Sequence, residues 1–243
     1  MGVGNFAIRL RKTYTGIKKM INTSKIYKMR IVFRWLENRS LSGDSAAVLR
    51  ERIRQSGLHY VPAKGAADVP RVSYGPAAGR GIRAEREYAD IYLKDNVPVH
   101  ELRDALSDPA SGLDVLEVTR VPCAFASVQY LASVAKYRIE GDWEAFPPHP
   151  RAEDYFNAPQ VRITRVSDNG MNVVWDVKPH IVGVETFATQ SIRLTLQCIE
   201  GKWTNLQELV AAWLGTTPTE LSGIQIIREG LYWQDSAGEL HLI

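Results

Sequence analysis

Residues 29–36 read MRIVFRWL, a run of β-branched and aromatic residues that predicts a β-strand. A helix is predicted over Ser45–Gln55, because residues 42–44 (SGD) supply caps and the following segment carries apolar side chains at helical spacing. A strand followed directly by an amphipathic helix is typical of α+β units, so this stretch decides where the first folded unit begins.

The segments that follow repeat the order of strand and helix. Alternating apolar positions predict a half-buried strand over Glu85–Leu93, and Val97 opens a second helix that runs to Leu106. Further strands are predicted at residues 58–62, 71–74, 113–121 and 135–139. This order predicts a ferredoxin-like βαββαβ unit over residues 29–140, with both helices on one face of its sheet.

A second, smaller α+β unit is predicted over residues 160–243. Residues 141–159 contain four prolines and are interpreted as a linker between the two units. Beyond it, Asn169-Gly170 predicts a hairpin turn, since this dipeptide favours a tight two-residue loop. The predicted strands are 160–166, 171–177, 192–198, 223–233 and 239–243, and the predicted helix is 205–214.

Composition places the chain among globular proteins and excludes several chemistries. Its 243 residues are 45% hydrophobic and 23% charged, enough for a packed core, and no apolar run approaches the roughly 18 residues that span a bilayer. Cys123 and Cys198 are far apart and are interpreted as small buried hydrophobes. Without a CxxC pattern, the chain has no thiolate set for an iron–sulfur cluster, and no cofactor is predicted.

Positive charge is concentrated in an N-terminal arm, residues 1–28. Seven basic residues precede Met29, and without them 23 basic and 27 acidic residues leave a net charge of −4. Three interpretations stay open: a disordered basic tail for RNA or acidic lipid, an organellar targeting peptide, or a start site placed too early, before Met20 or Met29. The arm lacks a secretory apolar segment, so we expect a cytoplasmic protein.

Three stretches occur in order along the chain. They are the MRIVFRW strand with its helix, then RVSYGPAAGRGIRAEREYAD at residues 71–90, and then AKYRI (135–139), WDVKP (175–179) and REGLY (228–232). Together they resemble the radical-SAM-linked family of uncharacterised bacterial proteins. The resemblance implies a radical SAM enzyme as partner and an accessory role, and it implies no activity for the chain itself.

Two histidine motifs common in that family differ here. Residues 36–49 read LENRSLSGDSAAVL where members commonly carry Ser-His-Leu-Asp, and residues 63–75 read AKGAADVPRVSYG where they carry Asn-Pro-His-Pro. We therefore expect any site that those histidines form in relatives to be lost or altered in this chain.

The glycine- and arginine-rich segment 73–86 is the candidate binding site. Glycines expose backbone N–H groups as an anion nest, and arginines clamp phosphates in a bidentate manner. The segment matches neither a P-loop nor a dinucleotide fingerprint, so the alternative is a turn with solvated arginines. The candidate anion- or RNA-binding residues are Ser73, Gly75, Gly79, Arg80, Gly81, Arg83 and Arg86.

Aromatic residues on the predicted strands suggest a second way of binding RNA, by stacking of bases on an open sheet. Phe33 and Trp35 share one strand face, as do Tyr88 and Tyr92, but the alternative is that they pack in the core. His180 with Glu185 is the one histidine pair worth naming, and its apolar surroundings favour a structural role.

No catalytic or metal-binding residue is predicted, because nucleophile and paired-histidine motifs are missing from the sequence. The favoured hypothesis is a non-catalytic accessory protein of a radical SAM system that presents RNA or another anionic substrate. The alternatives are a free-standing RNA-binding module and an enzyme with an unrecognised site.

Overall fold

The computed structural model of the chain describes residues 25–36, 43–166 and 169–243. The helices are α1 (Gly43–Gln55), α2 (Val99–Leu106), α3 (Val128–Leu131), α4 (Ala152–Phe156) and α5 (Leu206–Trp213). The strands are β1 (Tyr27–Trp35), β2 (Pro62–Ala63), β3 (Ala66–Pro70), β4 (Val72–Tyr74), β5 (Arg83–Ala84), β6 (Glu87–Leu93), β7 (Leu113–Val121), β8 (Val134–Glu140), β9 (Arg162–Val166), β10 (Asn172–Asp176), β11 (Ile181–Ala188), β12 (Ser191–Gln197), β13 (Gln225–Gln234) and β14 (Leu240–Leu242).

The first sheet has the strand order β4-β6-β1-β7, and all its pairs are antiparallel. Strand side chains alternate between faces, so one face of β1 presents only apolar side chains to the helices. Leu49 and Ile53 of α1, with Leu102 and Leu106 of α2, pack in the same buried cluster as these β1 residues. The β1 residues in that cluster are Met29, Ile31, Phe33 and Trp35.

The second sheet is built from strands distant in sequence. Its order is β11-β12-β8-β13-β14, and the two-residue β5 joins it by pairing parallel to β13. Helix α5 contributes Leu209, Val210 and Trp213 to the core beneath this sheet. The chain is therefore a mixed α/β protein in which β5, from between two strands of the first sheet, belongs to the second.

A buried ion pair joins the two sheets. The Arg228 Nη2 of β13 lies 2.5 Å from the Glu87 Oε2 of β6, and both side chains are removed from solvent. Arg228 Nη1 also donates to the carbonyl of Pro76 at 2.6 Å. A buried charge pair of this kind is retained only where further hydrogen bonds satisfy it, so these contacts fix the relative position of the three segments.

A second buried network lies on the face of β1 that does not pack against α1 and α2. Asp90 accepts from Arg30 Nε at 2.8 Å and lies 3.2 Å from Lys28 Nζ. Lys28 Nζ also donates to the carbonyl of Phe125, and the backbone N–H of Val128 donates to Asp90. The segment before α3 is thereby tied to the first sheet.

Tyr74 connects the end of β4 to helix α1. Its hydroxyl donates to the carbonyl of Ala46 at 2.8 Å, and the Arg50 guanidinium lies 5.4 Å from the ring centroid. Burial raises the pKa of Tyr74 to about 12, an effect that Arg50 partly opposes. The aromatic position of the SYGP turn is thus a structural anchor.

Most predicted elements of the first unit are confirmed. Strands β1 and β7 and helices α1 and α2 have ends within two residues of the predicted ones. Strand β1 begins at Tyr27, so Lys28, which the sequence-based prediction places at the end of the basic arm, is a buried strand residue. The expectations for residues 1–24 lie outside the described residues.

Two segments lie elsewhere than expected. Strand β8 was predicted within the first unit, but it pairs with β12 and β13 in the second sheet. The proline-rich segment 141–159 contains a 3₁₀ turn (Trp143–Ala145) and helix α4, whose Phe156 is fully buried. The division into domains at 29–140 and 160–243 stays a prediction.

Residues 141–159 are folded against the rest of the protein because of an aromatic cluster around Trp213. Its ring lies 5.1 Å from Trp143 and 5.5 Å from Phe156, and its Nε1 donates to the carbonyl of Pro150 at 2.9 Å. Proline content indicated a linker, but aromatic packing holds this segment against α5.

None of the described helices combines the length and apolar character that crossing a bilayer requires.

We expect the change Arg228→Ala to lower the free energy of unfolding by roughly 3–5 kcal/mol, because Glu87 would remain buried without this guanidinium. Urea denaturation measures the loss. The matched control is Arg54→Ala, which removes an exposed ion pair with Glu51 and should cost less than about 1 kcal/mol. Equal, small losses in both variants would contradict the structural role of the buried pair.

We expect Tyr74→Phe to lower stability by about 0.5–1.5 kcal/mol at neutral pH through loss of one hydrogen bond. The deficit should shrink between pH 10 and about 12, because there the unfolded wild-type phenol ionises while the folded one stays neutral. Unfolding free energies across this range measure the effect. The change Tyr130→Phe, at an exposed tyrosine, is the control, and a constant deficit would contradict the prediction.

Candidate anion site beside the 79–86 segment

The candidate segment leaves the first sheet at Gly75. Its N–H donates to the carbonyl of Tyr88 at 2.8 Å, and a Cβ at Gly75 would lie 3.3 Å from the Leu231 side chain. Glycine therefore permits a close approach of the backbone to β13. This residue serves the junction of the two sheets.

The middle of the segment is pinned by small apolar residues and glycines. Ala78 and Ile82 are buried in the core of the second sheet, and Gly81 adopts a φ of +71°. A Cβ at Gly81 would come within 2.8 Å of the Gln207 amide nitrogen on α5. The backbone at residues 79–81 is thus fixed by its neighbours on both sides.

Two cavities flank the residues that follow. The larger, of about 590 Å³, is lined by the four residues of the 83–86 segment and by four residues of β1, the position after it and β7: Arg83, Ala84, Glu85, Arg86, Arg34, Trp35, Leu36 and Leu116. The smaller, of about 430 Å³, is lined by residues 81–83 and 224–227. Arg83 lines both cavities, so its side chain can contact a ligand in either of them.

The arginines of the larger cavity already have acidic neighbours. Arg34 Nε donates to Asp114 at 2.9 Å, and Arg86 forms an ion pair with Glu117. Burial disfavours the charged form of Arg86, but its hydrogen bond to Glu117 raises the pKa above its ordinary value. Arg83 has the loosest pairing, since its Nη2 lies 3.9 Å from Glu85.

Glu85 is itself shared. Its Oε1 accepts from Arg138 Nη2 at 2.9 Å, a closer contact than the one with Arg83. The Arg83 side chain is about half exposed. Of the three arginines, Arg83 is therefore the one that an incoming anion reaches with the least disruption.

The structure brings together only part of the predicted site. Gly81, Arg83 and Arg86 line the two cavities. Four predicted residues line neither cavity: Ser73, Gly75, Gly79 and Arg80. Ser73 lies in β4 opposite Asp90, while Arg80 is exposed. The anion-binding role of all seven residues stays a prediction.

Arg34 and Trp35 were missed as wall residues of the cavity. Arg34, like Lys28 and Arg30, occupies a position between apolar residues of β1, and this alternation was the available signal. The indole Nε1 of Trp35 is buried and has no acceptor among the described residues, and neither has Arg86 Nε. The pairing of β5 with β13 accompanies the placement of Arg34, Arg83 and Arg86 around one cavity.

The strand aromatics do not form an open stacking platform. Phe33 and Tyr88 are fully buried, while Trp35 and Tyr92 are at most 8% exposed. The guanidinium of Arg71 lies 4.0 Å from the Tyr92 ring centroid. Packing in the core, which was the alternative interpretation of these residues, is what the structure shows.

The remaining candidate residues are either not in contact with each other or differ from the expected burial. His180 Nδ1 contacts the carbonyl of Gln197, while Glu185 interacts with Arg193, so the His180–Glu185 pair does not form. Cys123 is exposed, which corrects the prediction that it is buried. Cys198 is half-buried, and burial raises the pKa of its thiol above the ordinary value.

Comparison with known proteins gives one family and no curated relative. No curated protein matches the chain. A family model described as "Uncharacterized protein conserved in bacteria (DUF2344)" matches residues 28–207, which is well over half of the chain. The protein is therefore a member of the DUF2344 family of bacterial proteins.

Proposed function

We propose that this chain is a non-catalytic accessory protein that binds an anionic ligand, with RNA as the ligand class, at the cavity lined by Arg34, Arg83 and Arg86. The observation that carries the proposal is the placement of three guanidinium groups around one cavity of about 590 Å³. Arginine suits phosphate because its planar donors match the phosphate oxygens in a bidentate manner.

The cavity wall has more donors than its acidic residues use. The contact of each arginine with its carboxylate neighbour involves one guanidinium nitrogen. Each arginine brings five N–H donors. A phosphate, which is rich in acceptors, is the complementary ligand for such a wall.

The acidic neighbours set the strength of binding. Asp114, Glu117 and Glu85 interact with the three arginines, so an anion must compete with carboxylates already in place. We infer modest affinity and strong salt dependence, since screening weakens contacts between exposed charges. The competition also explains why Arg83, the most loosely paired of the three, is the residue to test.

We infer in addition that the chain acts beside a radical SAM enzyme. The support is the resemblance of its ordered motifs to the radical-SAM-linked family. Two cysteines in the whole sequence do not supply the thiolates of a cluster, so the cluster would belong to the partner. The accessory protein would hold the substrate while the partner performs the chemistry.

We also propose that residues 27–121 form a ferredoxin-like unit. Support comes from the antiparallel order β4-β6-β1-β7 and from the helices that separate its strands in sequence. Helix α1 lies between β1 and β4, and α2 lies between β6 and β7. The two helices share one buried cluster with β1, as the arrangement requires.

We expect Arg83→Ala to weaken binding of a single-stranded RNA and to reduce the salt slope of log K by about 0.7, the value for one lost phosphate contact. Fluorescence anisotropy over a range of salt concentrations measures both effects. Arg54→Ala, an exposed arginine on α1, is the matched control. Equal binding by both variants and the wild type, or binding independent of salt, would overturn the anion site.

We expect the full chain to copurify with a radical SAM enzyme encoded beside its gene. Tagged chain expressed in its native host, followed by identification of bound proteins, provides the measurement. Absence of any CxxxCxxC protein among them would contradict the accessory role. A cluster bound by the purified chain alone, or turnover without a partner, would also contradict it.

A further inference from the structure

The hairpin of β13 and β14 carries a group of metal-ligating side chains unrelated to the anion cavity. Asp235, Glu239 and His241 each offer one ligand atom, and these three atoms all lie within 4.8 Å of one another. The group lies beyond residues 28–207, the range that the family model matches. The group therefore lies outside the part of the chain that the family model describes.

The Asp235 carboxylate is held in one orientation. Its Oδ1 accepts from the backbone N–H groups of Ala237 and Glu239, both at 2.9 Å. Its Oδ2 lies 2.9 Å from His241 Nε2. One oxygen therefore orients the carboxylate, and the other faces the imidazole.

The imidazole of His241 is held as well. It stacks on the Trp233 ring with centroids 4.6 Å apart and an interplanar angle of 23°. The backbone of the hairpin is closed by a hydrogen bond from the Asp235 N–H to the Glu239 carbonyl at 3.1 Å. The Asp235 and His241 ligand atoms are thus held in place before an ion binds, which lowers the entropic cost of assembling a metal site.

We propose that Asp235, Glu239 and His241 bind a divalent cation of the Zn²⁺ class. One imidazole nitrogen and two carboxylate oxygens are the donors that zinc accepts, at roughly 2.0–2.2 Å each. Ligand atoms around a tetrahedral ion at those distances lie about 3.3 Å apart, so the contact between Asp235 Oδ2 and His241 Nε2 opens by a few tenths of an ångström. The fourth position is left to water.

Binding of the ion requires that Nε2 of His241 carries no proton. The Nε2 lone pair of His241 must be free to coordinate, so a proton on Nε2 leaves to solvent or the ring takes the tautomer protonated at Nδ1.

A second histidine–aspartate pair, His59 with Asp95, lacks a third ligand in the described part of the chain and serves as a matched control. His59 Nδ1 lies 2.6 Å from Asp95 Oδ2, and both side chains are more than half exposed. Among the described residues, Asp235, Glu239 and His241 form the one group of three that meets the ligand spacing. Comparison of the His59–Asp95 pair with the Asp235–Glu239–His241 group therefore distinguishes chelation by three ligands from weak adsorption at a surface histidine.

We expect the full chain to bind Zn²⁺ at one saturable site in calorimetric titration with zinc chloride. Loss of a group that merely supports a ligand costs roughly 10–100-fold in metal affinity, so His241→Ala, which removes a ligand itself, should weaken binding at least that much. Glu239→Gln should weaken it without changing the thermal stability of the metal-free protein, since Glu239 is exposed. His59→Ala should leave the titration unchanged.

Three results would overturn the proposal. One is the absence of saturable binding by the wild type at neutral pH. Another is an equal effect of His59→Ala and His241→Ala, which would indicate adsorption at surface histidines. A third is unchanged affinity in Glu239→Gln with an intact fold by circular dichroism, which would leave only the Asp235–His241 pair.

Discussion

The arrangement of this protein depends on one buried ion pair, between Arg228 and Glu87. Both side chains lie in the interior where the two sheets meet, so the cost of removing two charges from water must be offset there. The guanidinium does this by also donating to the carbonyl of Pro76, and the backbone of β5 pairs beside it with β13. A residue near the C-terminal end of the chain thereby determines the course of the segment after Gly75.

The network of Lys28, Arg30 and Asp90 applies the same constraint to the other end of the first sheet. Asp90 receives two cationic side chains and one backbone N–H, and Lys28 also donates to the carbonyls of Phe125 and Ala126. Lys28 and Arg30 of β1 are thus used in folding, while Arg34, farther along the strand, stays half exposed and lines the cavity. This explains why a strand rich in arginine and lysine does not offer an open, positively charged sheet surface for nucleic acid.

These constraints place the two candidate sites in different settings. The anion cavity lies where β5 crosses to the second sheet, and its arginines are balanced by carboxylates. The Asp235–Glu239–His241 group lies on a terminal hairpin whose turn and stacked Trp233 supply the rigidity. The first depends on the junction of the sheets, while the second depends on local structure. For this reason their functions can be tested separately.

Local periodicity in the sequence determined β1, α1, α2 and β7 closely, because these elements alternate apolar and polar residues at a regular spacing and end at turn residues. The glycine- and arginine-rich composition of residues 73–86 indicated Arg83 and Arg86 as candidate site residues. The tertiary structure alone decided that β8 joins the second sheet, that β5 pairs with β13, and that the proline-rich 141–159 segment packs on Trp213. Pairing between strands distant in sequence depends on which charges and aromatic rings can be buried together. The local sequence pattern does not indicate those partners. Arg34 lines the cavity and Lys28 is a buried partner of Asp90 for the same reason: their neighbours come from strands distant in sequence.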